Sequence, residues 1–279
     1  MKNEIIEKSE DRLRIIEKIN EYERLGLFDR DVEDDPPTKE LLPSQIEYIK
    51  KGLFARIKTK IAFFLAYRFA AKLQKKRQLI IKEIRGAENL ITEGGAILTA
   101  NHFSPMDSFI MQYAFDESRR KGKFYRIIRE GNYTSFPGFY GFLMRNCNTL
   151  PLSSNTATMR KFVRAVGTAL KNNDCILIYP EQSMWYNYRK PKPLKIGAYQ
   201  MAVKSGVPII PAFITMKDSD VLDGDGFFVQ EHTVHIGKPI YPDESLPRGE
   251  RAEKMLKENF EFNKSIYESV YGTELKYDT

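Results

Sequence analysis

Cysteine is scarce in this chain: 279 residues contain only Cys147 and Cys175. Two thiols supply neither a disulfide framework nor a four-ligand zinc site. Both are expected to stay reduced, as in a cytosolic protein. Histidine is almost as rare, with His102, His232 and His235 as the whole set. Long apolar runs are missing as well. The run Ile61 to Tyr67 is cut by Arg68, far short of the about 20 predominantly apolar residues of a membrane-spanning helix. No apolar stretch follows a basic start, so no secretory signal is expected. There is no internal repeat and no low-complexity tract.

What is present suits a folded protein with a substantial core. The length fits one large domain with an appendage, or two small domains, and the 42% hydrophobic content is ordinary for a globular chain. Aromatics reach 12%, with 18 Phe and 15 Tyr, a content that suits greasy ligands or membrane interfaces. Net charge is +7 and unevenly spread. Acids crowd the first fifty residues, including Asp29, Asp31, Glu33, Asp34 and Asp35. Bases alone fill the stretch from Lys51 to Lys82, among them Arg56, Lys58, Lys60, Arg68, Lys72, Lys75 and Lys76. That basic stripe could meet lipid head groups or nucleic acid. Nucleic acid is the weaker reading and is not expected as a partner, because no aromatic strand motif accompanies the charge.

The periodicity divides the chain into three parts. Residues 1–50 read as a charged helical arm: residues 2–27 are predicted helical on the sparse apolar set Ile5, Ile6, Leu13, Ile15, Ile16, Ile19 and Leu25. The acidic, Pro-Pro-containing stretch Asp31 to Thr38 stops it. Residues 51–77 read as a basic amphipathic helix, the end of a helical stretch from about Ser44 broken at Gly52. A greasy face with basic flanks suits a helix lying in a membrane interface, so a peripheral or monotopic protein at the cytoplasmic membrane surface is expected. A core helix with a basic outer face is the plainer alternative. Residues 78–279 alternate strands and helices, which predicts an α/β domain with a mixed central sheet flanked by helices. Its strands are expected near Leu79–Ile84, Gly95–Ala100, Lys123–Arg129, Asn148–Leu152, Cys175–Tyr179, Val207–Ile214 (interrupted by Pro208 and Pro211) and His232–Ile236. Tyr133 to Met144, aromatic and punctuated by glycine, reads as a flexible wall or as a short helix pair.

The candidate chemistry lies in Asn101-His102-Phe103-Ser104-Pro105-Met106-Asp107. A buried strand leads into it, and Pro105 forces a turn. His102 then sits at a strand end and Asp107 at a helix start. A carboxylate that fixes one imidazole N–H leaves the other nitrogen free to accept a proton. His232 and His235 are three apart on a predicted strand and point to opposite faces, so they read as ordinary strand residues. No metal or cofactor is expected.

Asn101-His102 followed by Asp107 resembles the first motif of the glycerolipid acyltransferases, the group that includes 1-acylglycerol-3-phosphate acyltransferases. Later stretches keep the family's order. Tyr179-Pro180-Glu181-Gln182-Ser183 stands where the family has Phe-Pro-Glu-Gly-Thr-Arg. Lys195-Ile196-Gly197-Ala198 matches its Lys-x-Gly-Ala, and Val207-Pro208-Ile209-Ile210-Pro211 its Val-Pro-x-x-Pro. The resemblance covers roughly residues 80–240. It implies O-acyl transfer from acyl-CoA or acyl-carrier protein to a hydroxyl of a lysolipid or related acceptor at a membrane surface. His102 would be the general base and Asp107 its orienting partner. Asn101, Ser104, Arg129, Glu181, Gln182, Ser183 and Lys195 would be the substrate-binding candidates. Two departures stand out. Met184 replaces the third motif's Arg, and the stretch Asn148 to Ser154 lacks the second motif's Arg. In the family those arginines are linked to holding the acceptor's phosphate. Arg129, Arg145, Arg160 and Lys195 are the bases that could replace them, and an acceptor with a different head group is the other outcome. A catalytically weak lipid- or acyl-carrier-binding module of the same fold is the alternative function.

Overall fold

The computed structural model describes residues 8–34 and 38–278. The expected helical residues Ile5 and Ile6 lie outside this range, as do Asp35 and the Pro36-Pro37 pair. The elements follow in chain order as α1 (Glu10–Arg24), α2 (Leu53–Lys75), β1 (Ile80–Arg85), β2 (Ala96–Thr99), α3 (Asp107–Glu117), β3 (Phe124–Ile128), α4 (Glu130–Thr134), α5 (Gly138–Asn146), β4 (Thr149–Pro151), α6 (Thr156–Lys171), β5 (Cys175–Ile178), α7 (Gly197–Ser205), β6 (Ile209–Leu222), β7 (Phe228–Ile236) and α8 (Arg248–Tyr271).

Among the described residues, seven strands form one sheet in the order β1-β7-β6-β2-β5-β3-β4. Every pairing is parallel except β6 with β7, so the sheet is mixed, as expected. Parallel strands need both faces covered, and here they have two cores. On one face Leu98, Leu177 and Ile210 pack with Ile110, Met111 and Ala114 of α3 and Ala70 of α2. On the other, Ile97, Ile176 and Ile209 pack with Phe162, Val166 and Ala169 of α6, Tyr199 of α7 and Met255 of α8. Adjacent strand residues therefore feed opposite cores. This is why β2 and β5 read as unbroken apolar runs.

Gly95, just before β2, is required by close approach. A Cβ there would lie 2.3 Å from the Leu170 carbonyl oxygen at the end of α6. The Tyr133 to Met144 stretch takes the helix-pair form, as α4 and α5. The largest difference from the sequence reading is β6, which runs unbroken through Pro211 to Leu222. The proline is tolerated because it stands at a handover. β6 pairs with β2 up to Pro211 and with β7 from Ala212 onward, so a missing N–H there interrupts neither ladder. The distal half of β6, Lys217 to Leu222, is polar and partly exposed, which hid it from a hydrophobicity argument.

The N-terminal region lies against this domain. Leu41, Ile46 and Tyr48 join the second core. Ile19 of α1 and Val32 pack around Trp185, with Phe28 stacked on its ring.

Candidate active site

Strands β2, β5 and β3 run parallel, and their C-terminal ends deliver His102, Glu181 and Arg129 to one edge of the sheet. That edge is where open α/β sheets bind ligands. β2 is wholly buried and is tied off by Asn101. The Asn101 Nδ2 donates to the Ile214 carbonyl at 3.0 Å, and its Oδ1 accepts the Ile214 N–H at 2.8 Å. Asn101 thus stands in for a missing strand residue and fixes the backbone one position before His102. Ser104 closes the turn that follows: its Oγ accepts the Met106 N–H at 3.1 Å, and its carbonyl accepts that of Asp107. α3 then starts at Asp107, where the helix dipole favours a carboxylate.

The turn brings Asp107 Oδ2 to 2.6 Å from His102 Nδ1. Asp107 is almost fully buried, and the His102 side chain keeps 24% of its surface exposed. The carboxylate is held from three sides. Besides the imidazole, it accepts the Phe103 N–H at 3.3 Å and the Tyr179 hydroxyl at 2.7 Å. Burial, then the Asp107 charge, push the Tyr179 hydroxyl well above the ordinary tyrosine value, so it stays a donor. An acceptor-only carboxylate at Nδ1 assigns the proton to that nitrogen. Nε2 is then the lone-pair nitrogen, and among the described residues it meets no hydrogen-bond partner.

Glu181 lies beneath the same loop and is 2% exposed. Its carboxylate accepts the backbone N–H of His102 at 3.2 Å and of Lys192 at 3.0 Å. It therefore ties the loop after β5 to the residue that carries the imidazole. Its counter-charge is the buried Lys192 ammonium at 3.8 Å. Burial raises the Glu181 carboxyl, and burial lowers Lys192 to about 8. Lys192 Nζ also donates to Ser183, to its carbonyl at 2.6 Å and to its Oγ at 2.8 Å, and sits over the Trp185 ring. Ser183 Oγ in turn donates to the Phe28 carbonyl. Gln182 takes a left-handed backbone conformation, φ 67°, at the tip of the loop.

The two remaining candidates flank that loop. Lys195 donates its N–H to the Pro180 carbonyl, and Arg129 Nη2 donates to the Gln182 carbonyl at 3.3 Å. Arg145 donates to the carbonyls of Tyr133 and Phe136, which joins α4 to α5. Arg160 lines a depression of about 480 Å³ on α6 with Ser153 and Ser154. Ser153 and Ser154 stand in the stretch that lacks the family's arginine. Both hydroxyls donate to Glu130, at 2.8 Å each.

Lys192 and Tyr179 are the residues that sequence reasoning left out of the site. Tyr179 could have been found, since it directly precedes the Pro-Glu pair at a strand end. The signal for Lys192 was faint: a lysine between Pro191 and Pro193. Burial pushes the Cys175 thiol up to about 12 and Cys147 up to about 11, so neither is an activated nucleophile. His232 Nδ1 lies 2.9 Å from the Ile80 carbonyl, and His235 Nε2 lies 3.0 Å from Thr215 Oγ1. Among the described residues, no three His, Cys, Asp or Glu side chains are grouped to hold a metal ion.

No curated protein matches the chain. Among solved structures, the 1-acyl-sn-glycerophosphate (LPA) acyltransferase PlsC from Thermotoga maritima is similar at 19% identity. The similarity spans 80% of this chain and 99% of that one, with a TM-score of 0.45. Residues 82–215 match the sequence model of the family described as Acyltransferase. That span is just under half of the chain, and it holds His102, Asp107, Tyr179, Glu181 and Lys192. Over this span the chain is similar to the acyltransferase family.

Proposed function

We propose that the protein moves a fatty acyl group from acyl-CoA or acyl-carrier protein to a hydroxyl of a lysolipid or related acceptor. The observation that carries this reading is the His102–Asp107 pair at 2.6 Å, with Nε2 unengaged beside it. An alcohol ionises far above pH 7, so its attack on a thioester needs a base. His102 Nε2 takes the hydroxyl proton as the oxygen bonds to the thioester carbonyl carbon. The tetrahedral intermediate then collapses, the C–S bond breaks, and the imidazolium returns the proton to the departing thiolate. The products are an ester and a free thiol. Asp107 holds the tautomer and stabilises the imidazolium, and Tyr179 holds Asp107.

A membrane surface is the proposed meeting place for both lipid substrates, and α2 is the element that supports it. Its small residues Ala62, Ala66 and Ala70 face the domain and are buried. Phe69 and Leu73 pack inward with them, but five other bulky residues face out: Leu53 is 69% exposed and Phe54 81%, followed by Ile57, Ile61 and Phe64. A helix meeting only water has the opposite arrangement. Arg56, Lys58 and Lys60 lie on the same helix, where their stems can lie along apolar surface and their charges reach lipid head groups. No helix among the described residues is long and apolar enough to cross a membrane. A peripheral or monotopic position at the membrane surface, on the cytoplasmic side, is proposed on the strength of the outward face of α2.

The test is release of free thiol from a long-chain acyl-CoA and from acyl-carrier protein in detergent micelles, with a panel of hydroxyl acceptors. Acceptor-dependent release that vanishes in His102→Ala is the expected result. Vesicle binding by folded protein, with no turnover on any donor and acceptor pair, would overturn the reading in favour of a binding module.

A further inference from the structure

The cations that flank the Pro180–Ser183 loop are already matched by carboxylates of this same chain. Arg129 Nη1 donates to Asp31 Oδ2 at 2.7 Å, and its Nη2 bonds the other oxygen of the same carboxylate. Lys195 Nζ donates to Asp29 Oδ2 at 2.8 Å. Both aspartates belong to the short segment after α1, and that segment is fastened to the loop by its other groups. The Phe28 carbonyl accepts the Ser183 hydroxyl at 2.7 Å, and the Arg30 carbonyl accepts the Trp185 indole N–H at 2.8 Å. The Phe28 ring stacks on Trp185 and lies tilted against Tyr277, and Val32 is 4% exposed. Residues 28 and 32 point inward, and the aspartates reach the two bases.

Either ion pair alone would be weak, because both partners are exposed to water and salt. Fastening changes the comparison. Carboxylates fixed on the same chain act at an effective concentration in the millimolar range or above, with their ordering cost already met by the packing of Phe28 and Val32. A freely diffusing phosphomonoester, with a charge of about −2, must displace both. The stretch after β4 follows the same pattern. There the Leu41 and Ser154 N–H groups and the Ser153 and Ser154 hydroxyls all point at one anion, and that anion is Glu130. Around this sheet edge, groups able to hold a phosphate have been given anions from the protein.

We propose that Asp29 and Asp31 are specificity-determining counter-ions. They take the positions on Lys195 and Arg129 that an acceptor phosphomonoester would need. The acceptor hydroxyl that meets His102 therefore belongs to a lipid with a neutral or zwitterionic head group. The proposal rests on the acyltransferase reading for its substrate, but phosphate exclusion can be read without turnover.

Two measurements on the full chain test it. The first is the melting temperature with and without glycerol 3-phosphate, against potassium chloride of equal ionic strength. Wild type is expected to show no specific shift, and Asp29→Asn/Asp31→Asn a saturable rise of several degrees. The second is the ratio of kcat/KM for lysophosphatidate to that for monoacylglycerol. It is expected below one in wild type and at least tenfold higher in the double variant. If the double variant is too unstable to assay, Asp31→Asn alone serves for both comparisons. Three results would overturn the proposal: specific stabilisation of wild type by glycerol 3-phosphate, a wild-type preference for lysophosphatidate, or no gain of phosphate binding in the variants. If no acceptor is turned over at all, the acyltransferase reading fails, and the melting comparison still decides whether these aspartates exclude phosphate.

Discussion

Tyr179 lies flat against the His102 ring, with centroids 4.2 Å apart, while its hydroxyl donates to the carboxylate that holds that ring. One side chain thus fixes both the plane of the imidazole and the position of its partner. Tyr179→Phe keeps the stacking and removes only the hydrogen bond. A bond to a charged acceptor is worth about 1.5–3 kcal/mol. At the lower end, kcat/KM should fall about tenfold in acceptor-dependent thiol release. His102→Ala should cost on the order of 10²–10⁴ in the same assay, with an unchanged circular dichroism spectrum.

The Glu181–Lys192 pair predicts a stability result. Lys192→Met leaves the buried Glu181 carboxylate without its counter-charge. Breaking one side of a buried pair costs about 3–5 kcal/mol, read as a fall in the urea midpoint. Glu181→Gln/Lys192→Met removes both charges and should recover part of the loss. A double variant less stable than the single one would show that the N–H bonds the Glu181 carboxylate accepts from His102 and Lys192 outweigh the loss of its counter-charge.

Acid stability should depend on His232. Burial holds its imidazole down to about 4, against the donation to the Ile80 carbonyl, which works the other way. The unfolded chain binds a proton near pH 6.5, so over this interval it holds more protons than the fold. The contribution to stability is full above about pH 6.5 and is lost as pH falls towards and through 4. It amounts to about 3 kcal/mol in total. Urea midpoints at pH 7 and pH 4.5 should converge for His232→Phe relative to wild type, since a phenyl ring keeps the stacking on Phe103 and cannot titrate.

Membrane binding should follow the outward face of α2. Phe54→Ser/Phe64→Ser removes two exposed aromatics, and burying such a side chain contributes about 1.5–3 kcal/mol. Partition onto anionic vesicles should weaken at least tenfold. The melting temperature should barely move, because neither ring packs in the described core.

Gly95 offers a check on the fold behind the site. Gly95→Ala would push a methyl group into the Leu170 carbonyl and should cost about 1–3 kcal/mol, by overpacking where β2 meets α6. Chemical denaturation would measure it.

How far the sequence could be read follows from distance along the chain. His102 and Asp107 are five residues apart, across a turn that Pro105 dictates, so their pairing was legible. β2 and β5 were legible because strands buried on both faces are continuously apolar. The far half of β6 was not, because its polar residues pair with β7 and make no core. Lys192 meets Glu181 only through the irregular loop between β5 and α7, which has no period to follow. The pairing of Asp31 with Arg129 and of Asp29 with Lys195 joins residues 98 and 166 positions apart, and no local pattern encodes it. The acidic cluster was visible in the sequence, but what it would cover was not.

Trp185 is the sole tryptophan of the chain, and it is fully buried beneath the Phe28–Val32 segment, with its indole N–H on the Arg30 carbonyl. Its 155-residue separation from that carbonyl means the segment leaves the ribosome long before its seat exists. Closure over the Pro180–Ser183 loop is then a late folding event. The same placement makes intrinsic fluorescence a single-site optical gauge. A shift of the emission maximum to longer wavelength would report the segment lifting from Trp185, without a label and during turnover.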